Sequence, residues 1–375
     1  MSKNYLSGHL LDARSYSPPS ADLWPAHIVR ADEISQALDQ LAAGQPGLDG
    51  RREVLAVHPS SREPGLGMAP SIAVSFGLLL PGECTRPRRG NASSFSMVLS
   101  GRGFVHVDGR EIAVGPRDSW NTPGMRLESI RNDSDETLAY LSYSNAPLLQ
   151  KLEVLYHEYD VPEAEAEAEA RATAAQHSAR IAKAKEIAGN AIAIGETGAM
   201  LLPYEHLIDP DFVESRALTW AWDDIAPHLG LVRALGQGYT GRPLWCLYNP
   251  ATGNKNGTTF SFFATIASAA PNMVGPAHRH VSSAINYILE GGGYSVVDGR
   301  RLDWGAGDIM LSAPGWSPHG HATGPEGAVI LTVQDHPLHI GTESLIWQED
   351  LKGGPILTLG AQAGFETNLA EMRAF

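Results

Sequence analysis

Residues Glu290–Met310 read EGGGYSVVDGRRLDWGAGDIM, and residues Ser100–Trp120 read SGRGFVHVDGREIAVGPRDSW. The two stretches align without a gap, and the segment VDGR at 107–110 recurs at 297–300. In both copies an Asp-Gly pair lies between alternating apolar residues, which is typical of a β-hairpin turn. The chain therefore contains an internal duplication of short antiparallel strands, as in a small barrel or a double-sheet jelly roll.

The composition indicates a globular, turn-rich protein that does not bind nucleic acid. The 375 residues suffice for two domains or one duplicated domain with proper cores. The 39 glycines and 25 prolines are typical of tight turns between strands. The formal net charge of −14 would repel phosphate backbones and anionic lipid headgroups, and no run of lysine or arginine offsets it.

No segment of the sequence indicates secretion or a membrane span. The first residues, MSKNYLSGHLLDARSYS, lack an extended apolar stretch, and nowhere do about 18 apolar residues follow one another. We therefore expect a cytoplasmic protein. The two cysteines, Cys84 and Cys246, lie far apart and outside any metal-type spacing, so we expect buried thiols and no disulfide framework.

Two segments outside the duplicated stretches predict helices. In ADEISQALDQLAA, residues 31–43, the side chains of Ile34, Leu38 and Leu41 fall on one side and can dock onto a barrel. The stretch 162–189 is rich in alanine, glutamate and lysine, begins with a proline followed by glutamates and ends at a glycine. These features predict a largely solvated helix that bridges the two barrels.

Two histidine pairs of the same spacing lie in the second copy. His278 and His280 belong to GPAHRH, and His319 and His321 belong to WSPHGH. Residues two apart on a strand point to the same side of a sheet, so the imidazoles of each pair share a face. If the two strands are neighbours, three or four imidazole nitrogens converge in the barrel interior, where Zn, Fe, Mn, Ni or Cu can bind.

These elements resemble the two half-motifs of the cupin superfamily, GPAHRH at 275–280 and GDIMLSAPGWSPH at 307–319. With its HRHxSSA and Trp-x-x-His-x-His elements, the stretch 245–340 is similar to the gentisate 1,2-dioxygenase family of bicupins, which includes salicylate and 1-hydroxy-2-naphthoate dioxygenases. The similarity is weaker over 65–150. The resemblance implies a mainly β bicupin, with two antiparallel jelly-roll β-barrels and a helical interdomain segment. The expected divisions are an N-terminal arm with a short helix (1–64), a first cupin barrel (65–150), a helical linker (151–230), a second cupin barrel (231–350) and a C-terminal tail (351–375).

We predict that His278, His280 and His319 bind the metal. Many cupins add a glutamate four residues after the second histidine, but that position is Ala284 here. Three neutral ligands on one face of an ion leave up to three positions for substrate and dioxygen, which favours Fe(II), although Mn, Ni, Cu and Zn accept the same ligands. We expect His321 beside the metal as a hydrogen-bonding or acid/base group, with a fourth ligand as the alternative.

Two further residues of the same phase, Ser282 and Asn286, are predicted to contact the oxygens of a bound ligand. The alternative for both is a hydrogen-bonded polar pair in the barrel wall. A substrate carboxylate would require an arginine, and the sequence offers Arg242, Arg300 and Arg301 without ranking them.

The first copy lacks every histidine ligand. The alignment of the two copies places Arg88 and Gly90 at the positions of the first two ligands, and one inserted residue places Glu128 at the position of the third. We therefore expect a metal-free first barrel that serves as a scaffold or an oligomerisation partner. This departs from the better-known members that the resemblance evokes, whose iron lies in the first cupin.

The resemblance and the ligand set together predict an Fe(II)-dependent ring-cleaving dioxygenase that acts on a gentisate- or salicylate-like hydroxylated aromatic acid. Both atoms of O2 enter the product, so no reductant is needed, and the sequence has no nucleotide-binding glycine fingerprint on a strand-to-helix turn. Two alternatives stay open: a metal-dependent isomerase, lyase or hydrolase that does not use O2, and a non-catalytic bicupin that binds a small molecule. Exposed barrel edges and the resemblance predict a homodimer or homotetramer.

Overall fold

The computed structural model describes residues 5–17, 22–159, 161–162, 165, 168, 192–194, 199–201, 216–235, 238–239, 241–359, 368 and 371. Within them the chain is mainly β, as predicted, and forms two jelly-roll modules that correspond to the two sequence copies. The helix predicted over 162–189 lies almost entirely outside the described residues. Among the described residues, none of the helices combines the length and the apolar character that a membrane span requires.

The described strands and helices follow one another along the chain. The strands are β1 (Tyr5–Ser7), β2 (Leu10–Leu11), β3 (His27–Val29), β4 (Arg52–Ala56), β5 (Ala73–Leu79), β6 (Arg88–Gly90), β7 (Ser94–Ser100), β8 (Gly103–Val107), β9 (Arg110–Val114), β10 (Ser119–Thr122), β11 (Glu128–Arg131), β12 (Leu138–Ser144), β13 (His157–Tyr159), β14 (Ile192–Ile194), β15 (Ala199–Leu201), β16 (Thr219–Trp220), β17 (Leu244–Cys246), β18 (Phe263–Ala269), β19 (Arg279–His280), β20 (Ala284–Val297), β21 (Arg300–Gly305), β22 (Ile309–Ala313), β23 (His319–Gln334), β24 (Ile346–Gln348) and β25 (Leu357–Thr358). The helices are α1 (Ala31–Ala43), α2 (Ala146–Lys151), α3 (Trp222–Ala234) and α4 (His336–Gly341), with short 3-10 helices at Ala13–Ser15 and Pro250–Lys255.

The two modules have the same strand order. In the first module, one sheet runs β16-β10-β7-β12-β5-β4 and the other runs β13-β6-β11-β8-β9. In the second module the corresponding order is β3-β22-β20-β23-β18-β17. The long strands β20 and β23 pass through bulges and also pair beyond them, where β21 joins β20. Each module is thus a pair of antiparallel sheets, the jelly-roll form that the duplicated hairpins predict.

The duplicated Asp-Gly pairs are hairpin turns, as the sequence predicts. Asp108 and Gly109 have φ values of 54° and 69°, and Asp298 and Gly299 have values of 49° and 78°. Positive φ at both central residues is the geometry of a type I′ turn, whose twist matches that of the flanking strands. The turns therefore fix the register of β8 with β9 and of β20 with β21.

Each module receives one strand from the segment that precedes the other. β3 lies before the first module in sequence but pairs with β22 of the second, whereas β16 lies before the second module and pairs with β10 of the first. The helices that follow these strands return to the module that comes next in sequence: α1 packs on β4 and β5, and α3 packs on β17 and β18. The predicted helix of residues 31–43 is confirmed, with Ile34 buried on its inner side. The two modules are therefore linked by a reciprocal strand exchange.

A duplicated aspartate joins each exchanged segment to its host. The Asp308 carboxylate accepts hydrogen bonds from the backbone N–H of Ala31 at 2.9 Å and of Gly305 at 3.0 Å, and it pairs with Arg30 at 2.9 Å. In the other module, Asp118 accepts from the N–H of Trp222 at 2.7 Å and of Gly115 at 2.8 Å. Each carboxylate closes its own turn and also meets the first turn of an incoming helix, where a negative charge is favourable.

Three apolar clusters form the core. The largest lies between the modules, where one sheet of each contributes, for example Phe76 and Tyr287 with ring centres 6.2 Å apart. The other two fill the interiors, one around Trp120 and Tyr140 in the first module and one around Ile288 in the second. The expectation of buried cysteines was wrong: both thiols are free and exposed.

Candidate metal centre

Three predicted ligands meet at the mouth of the second module. His278 and His319 exchange both backbone hydrogen bonds, each 2.9 Å long, which fixes them directly opposite each other on adjacent strands. His280 lies two residues further along and therefore on the same face. One nitrogen from each of the three rings lies within 4.8 Å of the others, and this cluster is the one metal-type group among the described residues.

The free nitrogen of each ring is identified by the hydrogen bond of the other. In all three histidines, Nδ1 lies against a backbone carbonyl two residues away, and a carbonyl can only accept, so Nδ1 carries the proton. Each Nε2 then keeps its lone pair for a ligand. The pairs are His278 with Pro276 at 3.1 Å, His280 with Ser282 at 2.8 Å and His319 with Ser317 at 2.9 Å.

Burial keeps the three rings neutral. Loss of solvent lowers the pKa of His278 to about 2 and that of His319 to about 4, and it holds the pKa of His280 well below its ordinary value. A neutral imidazole binds a cation without first releasing a proton. The donor set therefore fits a divalent transition metal, for which three imidazole nitrogens are suitable ligands.

His321 lies beside the three ligands, on the strand face that it shares with His319. Their ring centres are 5.7 Å apart, and burial lowers the pKa of His321 to about 3. Its Nδ1 is 2.7 Å from the Ser295 hydroxyl, which also accepts a hydrogen bond from the Trp304 indole N–H at 2.9 Å. The three-histidine cluster does not include His321.

The other two predicted site residues lie at different distances from the ligands. Ser282 is fully buried, and its hydroxyl lies 3.0 Å from Nδ1 of His280, on the side of the ring away from the free Nε2. Asn286 faces the interior of the module, where its side-chain oxygen accepts a hydrogen bond from the Thr332 hydroxyl at 2.9 Å. Sequence reasoning missed His336, whose Nδ1 is 3.1 Å from the same Ser282 hydroxyl.

The structure distinguishes the three candidate arginines. Arg242 pairs with Glu349 at 2.9 Å, and Glu349 directly follows Gln348, the register partner of Arg279. Burial is the main cause of the lowered pKa of His278 and of His319, and the positive charge of Arg242 lowers both pKa values further. Arg300 instead acts on His27 of the N-terminal segment. Arg301 is exposed, bonded to Asp303 and placed over the Tyr294 ring.

Charged side chains take two of the three ligand positions in the first module. Arg88 and Glu128 are register partners, just as His278 and His319 are in the second module. Arg88 lies 3.6 Å from a carboxylate oxygen of Glu128 and 3.6 Å from one of Glu53. No metal-type group of histidine, cysteine or carboxylate side chains occurs in the described part of this module.

Large aromatic residues fill the interior behind this ion pair. Trp120 donates to Glu128 at 3.2 Å, and Tyr140 donates to Glu53 at 2.7 Å. In the alignment that matches the two VDGR segments, the second module has Met310 and Ile330 at these two positions. The second interior therefore has smaller side chains where the first has indole and phenol rings.

Comparison with known proteins gives the same assignment of fold. A family model for the cupin domain matches residues 266–334. The chain is 24% identical over 292 residues to 1-hydroxy-2-naphthoate 1,2-dioxygenase of Nocardioides sp. (strain KP7), a match that covers 76% of this chain and 68% of that protein. It is 36% identical over 100 residues to a gentisate 1,2-dioxygenase of Ralstonia sp., which covers 26% of this chain and 28% of that protein. The crystal structure of salicylate 1,2-dioxygenase from Pseudaminobacter salicylatoxidans matches with a TM-score of 0.68 at 16% identity, over 88% of this chain and 89% of that one, and has the same fold.

Proposed function

We propose that this chain, which is similar to gentisate, 5-aminosalicylate and 1-hydroxy-2-naphthoate dioxygenases and has the bicupin fold, is an Fe(II)-dependent dioxygenase that cleaves the ring of a hydroxylated aromatic acid. The observation that carries the proposal is the convergence of three neutral imidazoles in the second module. His278, His280 and His319 would hold the iron through Nε2. Bound iron would supply a template and a Lewis acid that bring the aromatic ring and O2 together and polarise both.

Arg242 is our candidate for binding the substrate carboxylate. Its positive charge acts on His278, His319 and His321, and its ion pair with Glu349 fixes the guanidinium. A guanidinium offers paired donors that match a carboxylate, so it would orient the acid with its adjacent hydroxyl toward the metal. His321, held by Ser295, would hydrogen-bond the phenolic oxygen, and Asn286 would contribute a polar group deeper in the same interior.

The smaller side chains of the second interior are consistent with an aromatic substrate. Met310 and Ile330 stand where the first module has the rings of Trp120 and Tyr140. Aliphatic side chains thus line the second interior at two positions where aromatic rings line the first. Apolar walls with a few placed polar groups are typical of small-molecule sites.

The reaction balances without a further reductant. The aromatic acid and one O2 give one ring-opened product that contains both oxygen atoms, so the protein needs only to hold the substrate and exclude water. We propose that the enzyme works in the cytoplasm as a homodimer or homotetramer.

Oxygen consumption tests the proposal directly. Protein loaded with Fe(II) under anaerobic conditions is mixed with salicylate, gentisate, 5-aminosalicylate or 1-hydroxy-2-naphthoate, and O2 uptake is followed together with near-ultraviolet absorption of the product. We expect one O2 per substrate cleaved, and we expect His278→Ala to lose both bound iron and turnover. Turnover of a substrate without O2 would instead support a metal-dependent isomerase, lyase or hydrolase. A protein that takes up no metal would refute the proposal and favour a non-catalytic binding role.

The role of Arg242 needs a separate measurement. Arg242→Ala should raise KM for the acid by about 10- to 100-fold, because a charge-assisted bidentate pair contributes roughly 1.5–3 kcal/mol. Bound iron should remain stoichiometric. An unchanged KM, or an equal loss for an aromatic substrate without the carboxylate, would remove Arg242 from the substrate site.

A further inference from the structure

We propose that Ser282 and His336 form a hydrogen-bonded chain that positions the metal ligand His280, so that His336 is a fifth functional histidine of the site without being a ligand. The inference rests on the metal site proposed above. Ser282 is fully buried, and its hydroxyl lies 3.0 Å from Nδ1 of His280 and 3.1 Å from Nδ1 of His336. It therefore joins the ligand to a histidine on a different element, the first turn of α4.

The direction of this chain follows from the acceptors. Nδ1 of His280 also lies 2.8 Å from the Ser282 carbonyl, which can only accept, so this nitrogen carries the proton and shares it between the two oxygens of Ser282. The Ser282 hydroxyl is then free to donate its own proton to Nδ1 of His336. The chain thus holds His280 in the tautomer that leaves Nε2 available, and it raises the electron density of the ring.

The first module is an internal control for this interpretation. In the alignment of the two copies, Ser282 corresponds to Ala92 and His336 to Ala146. Neither alanine can form the hydrogen-bonded chain, and the position of His280 is Gly90 in the first module, so there is no ligand for such a chain to position. The two polar residues are therefore present in the copy with the ligands and absent from the copy without them.

The scaffold around this chain is otherwise the same in both modules. The N–H of Ser283 donates to the Asp335 carboxylate at 2.7 Å, and the N–H of Ser93 donates in the same way to the Asn145 side chain at 2.8 Å. Each acceptor immediately precedes a short helix that has a buried proline at its second residue. The first module keeps these contacts with alanine at both positions. The jelly-roll scaffold therefore forms without the hydrogen-bonded chain of Ser282 and His336.

A packing contact fixes the orientation of His336. The ring of Phe263 lies 5.5 Å from the ring of His336, and the residue at the corresponding position of the first module is Ala73. The Phe263 ring limits the rotamers of His336 and so keeps Nδ1 directed at Ser282. The Phe263 ring accordingly belongs to the same set of differences between the two copies.

Metal affinity tests the proposal with a readout that does not depend on turnover. The dissociation constants of Fe(II) and Co(II) are measured by anaerobic competition with a chromophoric chelator, for the unaltered chain and for Ser282→Ala, His336→Ala and the double variant. We expect each single variant to bind about 10-fold more weakly, within the range known for partners of metal-bound histidines. The double variant should lose little more than either single one, since both residues act through one chain.

Two further variants separate positioning from general damage. His336→Asn should recover most of the affinity, because the asparagine oxygen can accept the Ser282 hydroxyl where Nδ1 did. His339→Ala, on the same helix but hydrogen-bonded to Ser344 at 2.8 Å, should bind metal as the unaltered chain does. The metal-free proteins should melt within about 2 °C of one another.

The outcomes distinguish this inference from the proposed function. Unchanged dissociation constants in Ser282→Ala and His336→Ala would overturn the positioning role and leave the metal site intact. A loss of affinity that matches an equal loss of metal-free stability would also overturn it, in favour of a structural role. An unaltered chain that binds neither metal would overturn both this inference and the proposed function.

Discussion

Replacing Arg88 by methionine should destabilise the first module by about 3 kcal/mol and leave the metal site untouched. The guanidinium lies 3.6 Å from Glu53 and 3.6 Å from Glu128. At an effective dielectric constant of about 20, each pair has a Coulomb energy of roughly 4–5 kcal/mol before desolvation is subtracted. The side chain of Glu128 is 7% exposed and that of Arg88 is 32% exposed. Because water reaches the arginine, we take the lower end of the roughly 3–5 kcal/mol that removing one partner of a buried pair costs.

The pH dependence of this loss has a definite sign. Burial alone would raise the pKa of Glu128, but the charges of Arg88 and Arg51 outweigh it, and the pKa lies below its ordinary value. A carboxyl group with a lowered folded pKa stabilises the protein above its unfolded pKa of about 4.3, and this contribution disappears as the pH falls through the folded value. The difference between the unaltered chain and Arg88→Met should therefore be largest near pH 7 and shrink below about pH 4.

Urea unfolding monitored by tryptophan fluorescence, together with calorimetry, measures the loss. The matched control is Arg89→Met on the same strand, whose partner Glu158 at 2.7 Å is 32% exposed. Solvent screens a pair this exposed, so its loss should change the stability much less than the loss of Arg88. Replacing both members of the central pair, in Arg88→Met with Glu128→Leu, should recover most of the stability because no unpaired charge is left.

Metal stoichiometry decides whether the two modules have the roles assigned to them. Arg88→Met should bind as much iron as the unaltered chain, because the three ligand histidines belong to the other module. If the variant loses its iron while the second module stays folded, the assignment of the metal to the second module is refuted. If its stability at pH 7 stays within about 0.5 kcal/mol of the unaltered chain, the ion-pair account of the first module fails.

Three other perturbations follow from buried charges. Asp335→Asn should stabilise the chain by about 1 kcal/mol at pH 7. Burial raises the pKa of Asp335, so the ionised carboxylate destabilises the folded chain as the pH rises, and Asn145 occupies the equivalent position of the first module. A lower melting temperature of the variant would contradict this. Asp308→Ala removes the ion pair with Arg30 and the hydrogen bond from the Ala31 N–H in the first turn of α1. It should lower the free energy of unfolding by about 2 kcal/mol and speed hydrogen exchange in β3, whereas Asp308→Asn should have a smaller effect on each. Burial also lowers the pKa of His58, whose ring donates a hydrogen bond to the Pro25 carbonyl. The free energy of unfolding should therefore fall as the pH drops below about 6.5, and His58→Gln should make this pH dependence weaker. An unchanged pH dependence in the variant would show that His58 does not cause it.

Features encoded by local spacing could be predicted from the sequence. The Asp-Gly hairpins required only alternation and a turn pair, and helix α1 required only a periodic apolar face. The convergence of His278, His280 and His319 needed one more assumption, that their strands are neighbours. The duplication made that assumption reasonable, because it fixed where each strand begins. The same alignment predicted that Arg88 and Glu128 occupy two of the ligand positions in the first module, where the structure pairs them.

Contacts that depend on distant pairings could not be predicted in this way. The exchange of β3 and β16 between the modules cannot be recognised from the sequence of either strand. Only three residues of β3 and two of β16 pair with the other module, and backbone pairing does not require particular side chains. His336 is far from His280 in sequence and lies on a helix, outside any motif of the strands. Comparison of the two copies would have indicated it, because Ala146 occupies its place in the copy without ligands. The prediction that the cysteines are buried was wrong because the tendency of cysteine to be buried is only an average. Cys246 ends the short edge strand β17, where its side chain is exposed.

The interiors of the two modules differ in the side chains that fill them. Met310 and Ile330 are buried in the second interior, where Trp120 and Tyr140 bury larger aromatic rings at the matching positions of the first. The ion pair of Arg88 also closes the first interior. Because β16 completes the first module and β3 completes the second, neither can lose its structure without removing a strand from the other. The ion pair and the aromatic core of the first module thereby also stabilise the module that brings the three histidines together.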